Sequence, residues 1–94
     1  EIPNSFVLHQ NYPNPFNPTT KIKFDIPSVG TVPRTVRLII FDILGREVAV
    51  LVNEELKPGT YEVEWDGTNF PSSVYFYRLQ TGEYSESKTM MLLK

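Results

Sequence analysis

The chain has 94 residues, of which 40% are hydrophobic and 21% are charged, and its formal net charge is -2. This composition is typical of a globular chain with room for one hydrophobic core. The slightly acidic balance excludes a basic surface for nucleic acid, and the absence of cysteine excludes disulfides and thiolate chemistry. No apolar run approaches the roughly 20 residues of a membrane-spanning helix. We therefore expect a single domain over residues 1–94, with no nucleic-acid partner and no transmembrane segment.

Eight prolines and five glycines divide the chain into short runs in which apolar and polar residues alternate. A period of two indicates half-buried β-strands, and Ile22, Phe24 and Ile26 give the clearest case. The stretch 10–18 contains three prolines, which lack backbone donors, and this predicts a loop. The predicted strands are 5–9, 21–26, 35–42, 46–52, 59–65, 74–80 and 84–93, and the other predicted loops are 28–34, 53–58 and 81–83.

The third predicted strand is apolar on both of its faces. Val36, Leu38 and Ile40 share one face, while Ile39 and Phe41 lie on the other. A half-buried strand would carry polar residues on its second face. We therefore expect this strand to be covered on both sides.

The glycines stand alone and are expected in turns. Gly45 follows the third predicted strand in a tight connection, where a positive φ is needed most, and Gly59, Gly67 and Gly82 mark other turns. About seven strands at intervals of roughly ten residues predict an all-β fold, an immunoglobulin-like two-sheet antiparallel sandwich. The residues expected to be mostly buried are Ile22, Phe24, Val36, Leu38, Ile40, Val63, Trp65, Tyr75 and Leu79.

The chain offers few groups for catalysis or metal binding. His9 is the only histidine and has no neighbouring nucleophile. Glu62 and Glu64 share the polar face of one strand, whereas a glycosidase pair faces each other across a cleft. The run 66–69 (DGTN) has oxygens suited to calcium, but turn formation explains it more simply. We expect no catalytic residue, no metal and no cofactor.

Aromatic residues make up 13% of the chain, which raises carbohydrate binding as an alternative function. Such a module stacks sugar rings on exposed aromatic side chains. This interpretation requires Trp65, Tyr75 or Tyr77 to lie in solvent rather than in the core.

Six segments, in order, cover nearly the whole chain: 8–20 (LHQNYPNPFNPTT), 21–26 (KIKFDI), 36–46 (VRLIIFDILGR), 59–69 (GTYEVEWDGTN), 73–79 (SVYFYRL) and 81–94 (TGEYSESKTMMLLK). Together they resemble the type A C-terminal sorting domain of the type IX secretion system. Bacteroidetes and related bacteria use this pathway to move proteins across the outer membrane. Ser73 departs from the pattern, because the family commonly has glycine there. The region around Trp65 also resembles the immunoglobulin-like domain of flagellar hook-capping proteins.

The resemblance implies a non-catalytic domain that directs an attached cargo through the periplasm to the cell surface or medium. Its partners would be the outer-membrane secretion machinery, a covalently attached N-terminal cargo domain and a surface sorting peptidase. Because the chain begins at Glu1 without methionine or a signal peptide, we expect a fragment of a larger secreted protein. The alternative is a structural spacer or assembly domain of the hook-capping kind.

The resemblance also indicates which residues are recognised. The terminal strand is apolar on both faces, so it either adds to a partner sheet or packs inside the sandwich. The residues that match the family's closing and opening motifs, and that we expect in recognition, are Lys88, Met90, Leu92, Lys94, Pro13, Asn14 and Pro15.

Overall fold

A computed structural model of the protein describes residues 2–28, 34–82 and 84–94. The part of the chain that it describes contains seven strands and no helix, and all strand pairs are antiparallel, so the all-β prediction is confirmed. The strands are β1 (Val7–Leu8), β2 (Thr19–Ile26), β3 (Arg34–Phe41), β4 (Glu47–Leu56), β5 (Gly59–Asp66), β6 (Ser73–Gln80) and β7 (Ser85–Leu92).

The strands form two sheets that pack as a sandwich. One sheet has the order β1-β2-β5, and the other has the order β4-β3-β6-β7. The polar residues of β2 pair across the first sheet with those of β5, as Lys21 with Glu64 and Lys23 with Glu62. These charged pairs lie on the outer face, so the alternate positions of both strands face the core. The predicted two-sheet antiparallel sandwich is confirmed.

The core lies between the inner faces of the two sheets. Ile22 and Phe24 of β2 are fully buried, as are Leu38 of β3 and Leu79 of β6. The predicted core residues are buried, with the exception of Val63, which is only partly buried and packs against the core from an edge strand. Burying one large aliphatic or aromatic side chain contributes roughly 1.5–3 kcal/mol, so this layer supplies the main driving force for folding.

Strand β3 is covered on both faces, as its apolar pattern predicts. Ile39 points away from the core and is still only 1% exposed. On the same outer face the Arg78 guanidinium lies 4.5 Å from the centre of the Phe41 ring, a favourable cation–π geometry. The methylene groups of an arginine can cover an apolar neighbour while its charge stays in water.

The predicted end of β4, at residue 52, is wrong. The polar run from Asn53 onward is not a loop but continues the strand to Leu56, in register with residues 34–37 of β3. Glu54 and Glu55 are exposed, so their charges cost nothing in this edge strand while their backbone groups pair with β3. Parts of the predicted loop 28–34 and of the turn 81–83 lie outside the described residues.

The two ends of the sandwich carry different parts of the chain. The strand ends at Ile26 and Gly59 lie beside the first described residue, Ile2, whose neighbours include Asp25 and Thr60. We call this the N-terminal end. The opposite end, which we call the distal end, carries the turn after β3, the turn after β5 and Lys94. An eight-residue strand at ~3.3 Å per residue separates the two ends by about 25 Å.

Gly67 sits where no side chain fits easily. Its amide donates to the Pro18 carbonyl at 2.8 Å, which brings the turn after β5 against the start of β2. A Cβ atom at this position would lie 3.0 Å from Leu92 Cδ2 and 3.5 Å from Phe16 Cε2. Both neighbours are buried and held by the packing around them.

We predict that Gly67→Ala lowers the free energy of unfolding by about 1–3 kcal/mol, because the added methyl overpacks the core. Gly82→Ala is the matched control, since its Cβ would meet nothing within 4 Å. The control should change stability by less than about 0.5 kcal/mol. Urea unfolding followed by tryptophan fluorescence measures both, and equal effects of the two substitutions would contradict the assigned packing.

Candidate recognition surface

The segment that follows β1 crosses from one sheet to the other. The His9 amide donates to the Lys23 carbonyl at 3.0 Å, and Tyr12 exchanges two backbone hydrogen bonds with Lys21, so the segment begins beside β2. It then reaches β7, where the Phe16 amide donates to the Met91 carbonyl at 3.0 Å. The Leu93 amide donates back to the Phe16 carbonyl at 3.0 Å. The opening motif therefore closes one side of the sandwich.

Side chains of the same segment complete this contact with β7. The Met91 amide donates to Asn14 Oδ1 at 3.0 Å, and Gln10 Nε2 donates to the Thr89 carbonyl at 2.7 Å. Pro13 and Pro15 flank Asn14, and their lack of amide protons prevents the loop from offering an edge of its own. The outer edge of β7 is thus capped over residues 89–93, which we call the capped edge.

The edge of β7 before Thr89 is different. By the alternation of an antiparallel strand, the backbone groups of Ser85 and Ser87 point to the same side as those of Met91. No backbone hydrogen bond from the described residues reaches Ser85 or Ser87 on this side. This part of the strand is unpaired on this side by the described backbone, although β1 lies close to β7, and we call it the open edge.

A buried polar network holds the crossing segment on the core. Asn11 is 2% exposed, and its amide donates to the Tyr77 hydroxyl oxygen at 2.8 Å. The Tyr77 hydroxyl in turn donates to the His9 carbonyl at 2.8 Å. Asn11 Nδ2 donates to Thr20 Oγ1 at 3.0 Å, and Thr20 Oγ1 donates to the Pro13 carbonyl at 2.8 Å. Every member is satisfied, which is the condition under which buried polar groups fix a structure.

The network changes the acidity of its tyrosine. Burial raises the pKa of Tyr77 to about 12, although the hydrogen bond from the Asn11 amide acts in the opposite direction. The neutral hydroxyl is therefore strongly favoured in the folded state, where it is needed to donate to the His9 carbonyl.

The residues expected in recognition fall into two groups. Pro13, Asn14 and Pro15 are exposed and lie at the capped edge. Met90 and Leu92 are 2% and 0% exposed and belong to the core. Any partner of the folded domain therefore meets the first group directly, while the second acts through packing.

The two lysines of the closing motif occupy different places. Lys94 lies at the distal end, where its amide donates to Ser72 Oγ at 2.8 Å and its ammonium donates to the Thr68 carbonyl. Lys88 is half-buried on β7, with its ammonium 3.6 Å from Glu86 Oε2. Burial, together with the hydrogen bond to Glu86, raises the pKa of the neighbouring Tyr84.

Two exposed residues near the capped edge were not predicted from the sequence. Met91 and Leu93 are 39% and 50% exposed, and they alternate with the buried pair of the same strand. Beside Met91 a shallow groove of about 270 Å³ is lined by Asn14, Pro15, Val74, Thr89, Met90 and Met91. The unbroken run MMLL hid the difference, because period-two alternation of apolar with apolar residues gives no signal.

The remaining sequence candidates show turn or surface roles. Gly45 has φ 84°, as predicted for the tight turn, and Gly59 has φ 154°. In the run 66–69, the Thr68 amide and hydroxyl both donate to Asp66 Oδ1, and this lowers the pKa of the Asp66 carboxyl. His9 Nε2 lies 3.5 Å from an Asp25 carboxylate oxygen. Among the described residues no group of three or more potential metal ligands comes together.

The carbohydrate-binding alternative does not fit the structure. Trp65, Tyr75 and Tyr77 are 4%, 2% and 0% exposed. The Trp65 ring packs against Phe16 and Tyr75 at centroid distances of 5.7 and 5.3 Å. These rings build the core near the distal end and are not available to stack on a sugar.

The fold and the surface define a class of protein. It is a small β-sandwich in which two segments distant in the sequence meet at one strand edge. A family model described as "Secretion system C-terminal sorting domain" matches residues 10–93, and the chain belongs to this family. No curated protein matches the chain. In the described residues no helix has the length and apolar character needed to cross a membrane.

Family membership gives the function. The domain is a C-terminal sorting signal for type IX secretion, and it directs export to the cell surface or the medium. Its partners are the type IX secretion machinery and a cargo, and the family is one of sorting signals rather than of catalysts.

We predict that Tyr77→Phe lowers the free energy of unfolding at pH 8 by about 1–2 kcal/mol, because a buried donor and a buried acceptor lose their partner. The difference in the free energy of unfolding between wild type and Tyr77→Phe should narrow between about pH 10 and pH 12. The folded-state pKa of Tyr77 lies above that of the unfolded chain, so the hydroxyl stabilises the fold below pH 10 and less as the pH rises. Tyr75 and Tyr84 remain in both proteins, so the difference isolates Tyr77. A gap that stays constant with pH would contradict the assigned network.

Proposed function

We propose that the secretion machinery reads the surface where the proline-rich loop meets the terminal strand, rather than the last strand alone. This recognition surface consists of the exposed side chains of the capped edge and the C-terminal lysine: Pro13, Asn14, Pro15, Met91, Leu93 and Lys94. The observation that carries the proposal is the 3.0 Å hydrogen bond from the Met91 amide to Asn14 Oδ1, which joins residues 77 positions apart.

The surface has the composition of a binding site. Met91 is an exposed apolar side chain that lines a groove together with Pro15, and Leu93 is exposed two residues further on. Methionine adapts its shape to a partner, and a pre-ordered loop loses little entropy on binding. Lys94 adds one fixed charge at its end, because its amide and its ammonium are both hydrogen-bonded.

Met90 and Leu92 serve recognition indirectly in this proposal. Both are buried, and Leu92 pairs with Ser73 while contacting the position of Gly67. Their packing holds the intervening Met91 outward. A deletion of residues 88–94 would remove these core side chains and unfold the domain, so point substitutions at exposed positions are the informative test.

The open edge at Ser85 and Ser87 is a second place where the secretion machinery is proposed to bind. A partner strand that adds to β7 finds free backbone groups there, whereas the capped edge is closed to it while the loop is in place. Lys88 lies next to this open edge and contributes charge to such a contact.

The cargo joins the domain at its other end. Residues 2–5 precede β1, and Ile2, Asn4 and Ser5 among them are exposed. We propose that residues 1–94 are one domain of a larger protein and that a surface peptidase cuts ahead of β1, where the chain is accessible. The cargo then lies about 25 Å from the distal end and leaves the recognition surface free.

We predict that the double variant Met91→Ser, Leu93→Ser reduces export of an attached fluorescent protein about tenfold, because apolar anchors carry most of an interface's binding energy. The assay uses a type IX-competent host and compares medium plus surface fluorescence with total fluorescence. Val50→Ser, an exposed apolar residue on β4, is the matched control and should export normally.

Both variants should keep the wild-type melting temperature within a few degrees, because surface substitutions change stability little. Wild-type export by the folded double variant would contradict the proposed surface. Periplasmic retention of the unsubstituted fusion in a host that exports its own cargo would contradict the sorting role of residues 1–94 themselves.

A further inference from the structure

The turn between β3 and β4 is held rigidly by one carboxylate. Asp42 Oδ1 accepts hydrogen bonds from the Leu44 and Arg46 amides, each at 2.9 Å. Asp42 Oδ2 accepts from Arg46 Nε at 2.7 Å, and the Gly45 amide donates to the Asp42 carbonyl at 2.9 Å. The hydrogen bond from the Arg46 amide is the main cause of a lowered pKa of Asp42. Both carboxylate oxygens of Asp42 are therefore engaged within the turn itself.

Beside the exposed Arg46 side chain, the turn presents two apolar residues to solvent. Ile43 is 60% exposed and Leu44 is 74% exposed. A single exposed aliphatic residue is ordinary in a soluble protein, but these two are adjacent on a stiff turn. Below them lies a hollow of about 280 Å³ whose apolar lining includes Val48, Phe70 and Pro71. Turns in proteins are usually built from glycine, proline and small polar residues. The geometry of this turn therefore does not require two branched aliphatic side chains.

This apolar turn lies at the distal end, in line with the recognition surface. Phe70 and Pro71, which line the hollow, are followed directly by Ser72, whose hydroxyl accepts the Lys94 amide hydrogen bond at 2.8 Å. The two surfaces are therefore continuous through the segment 70–72. The exposed start of the chain at Ile2 lies at the opposite end of the strands.

We propose that Ile43 and Leu44 form a second anchor for the secretion machinery, inserted into an apolar pocket of one of its outer-membrane proteins. The inference rests on the proposed recognition surface, which it extends across the distal end. The proposed cargo junction lies at the N-terminal end, about 25 Å from this turn along the strands. The shape also fits an insertion better than a flat contact, since a stiff turn keeps its conformation and places two side chains ahead of the body of the domain.

The first test is the double variant Ile43→Ser, Leu44→Ser in the same fluorescent fusion. We expect export to fall about tenfold while the melting temperature stays within a few degrees of wild type, as for loss of an apolar anchor. Ile43→Met, Leu44→Met keeps apolar side chains and should restore most of the export. The matched control is Val50→Ser, which removes an exposed aliphatic side chain elsewhere and should export normally.

The outcomes separate this inference from the proposed function. If the Met91→Ser, Leu93→Ser variant loses export and the Ile43→Ser, Leu44→Ser variant does not, the second anchor is overturned and the recognition surface stands. If the first variant exports normally, the recognition surface fails, whatever the turn does.

The second test identifies the occupant. A photo-crosslinking amino acid in place of Leu44, in the complete fusion and in secreting cells, should attach to an outer-membrane component of the pathway identified by mass spectrometry. The crosslink should disappear in a strain that lacks the pathway. Crosslinks only to a second copy of the fusion, only to its own cargo, or to nothing would each overturn the inference.

Discussion

The structure depends on the contact by which the opening segment joins the two sheets. Phe16 makes one backbone hydrogen bond with Met91 of β7 and one with Leu93 just after the strand, and its ring packs on Trp65 in the core. Behind it, the Tyr77 hydroxyl holds the backbone of Asn11 and His9. Without this contact, the outer edge of β7 would be open along its whole length, and the sheet β1-β2-β5 would leave part of the core uncovered. Edge protection and core closure are thus provided by the same segment.

The proposed recognition surface requires the whole domain, because it depends on this contact. The opening motif and the closing motif are separated by most of the chain, yet Asn14 and Met91 touch. A peptide that contains only the terminal strand would have the same amino-acid sequence as that strand. It would lack the loop and the alternation of buried and exposed side chains. In the folded domain, Met90 and Leu92 face inward and Met91 faces outward because β6 and the core fix the register. The proposed recognition surface therefore exists only in the folded domain.

Much of the fold could be predicted from the sequence, because strands such as β2 alternate clearly and the turns carry glycine or proline. The errors have identifiable causes. The end of β4 was missed because its polar residues pair with β3, and pairing with a distant strand leaves no local signal. Met91 and Leu93 were missed because an all-apolar run does not reveal its faces. The hydrogen bond between Asn14 and Met91 could not be predicted, since it depends on how two sheets meet rather than on any spacing along the chain.

Amide hydrogen exchange on the folded domain tests the central claim, which is that the proline-rich loop caps the terminal strand. The Met91 amide, bonded to Asn14 Oδ1, should exchange at least about tenfold more slowly than the Ser87 amide on the open edge of the same strand. Asn14→Ala should bring the Met91 amide close to the rate of Ser87 without changing the amides of β6. Equal exchange at Met91 and Ser87 in the wild-type domain would contradict the capped edge and, with it, the composite recognition surface.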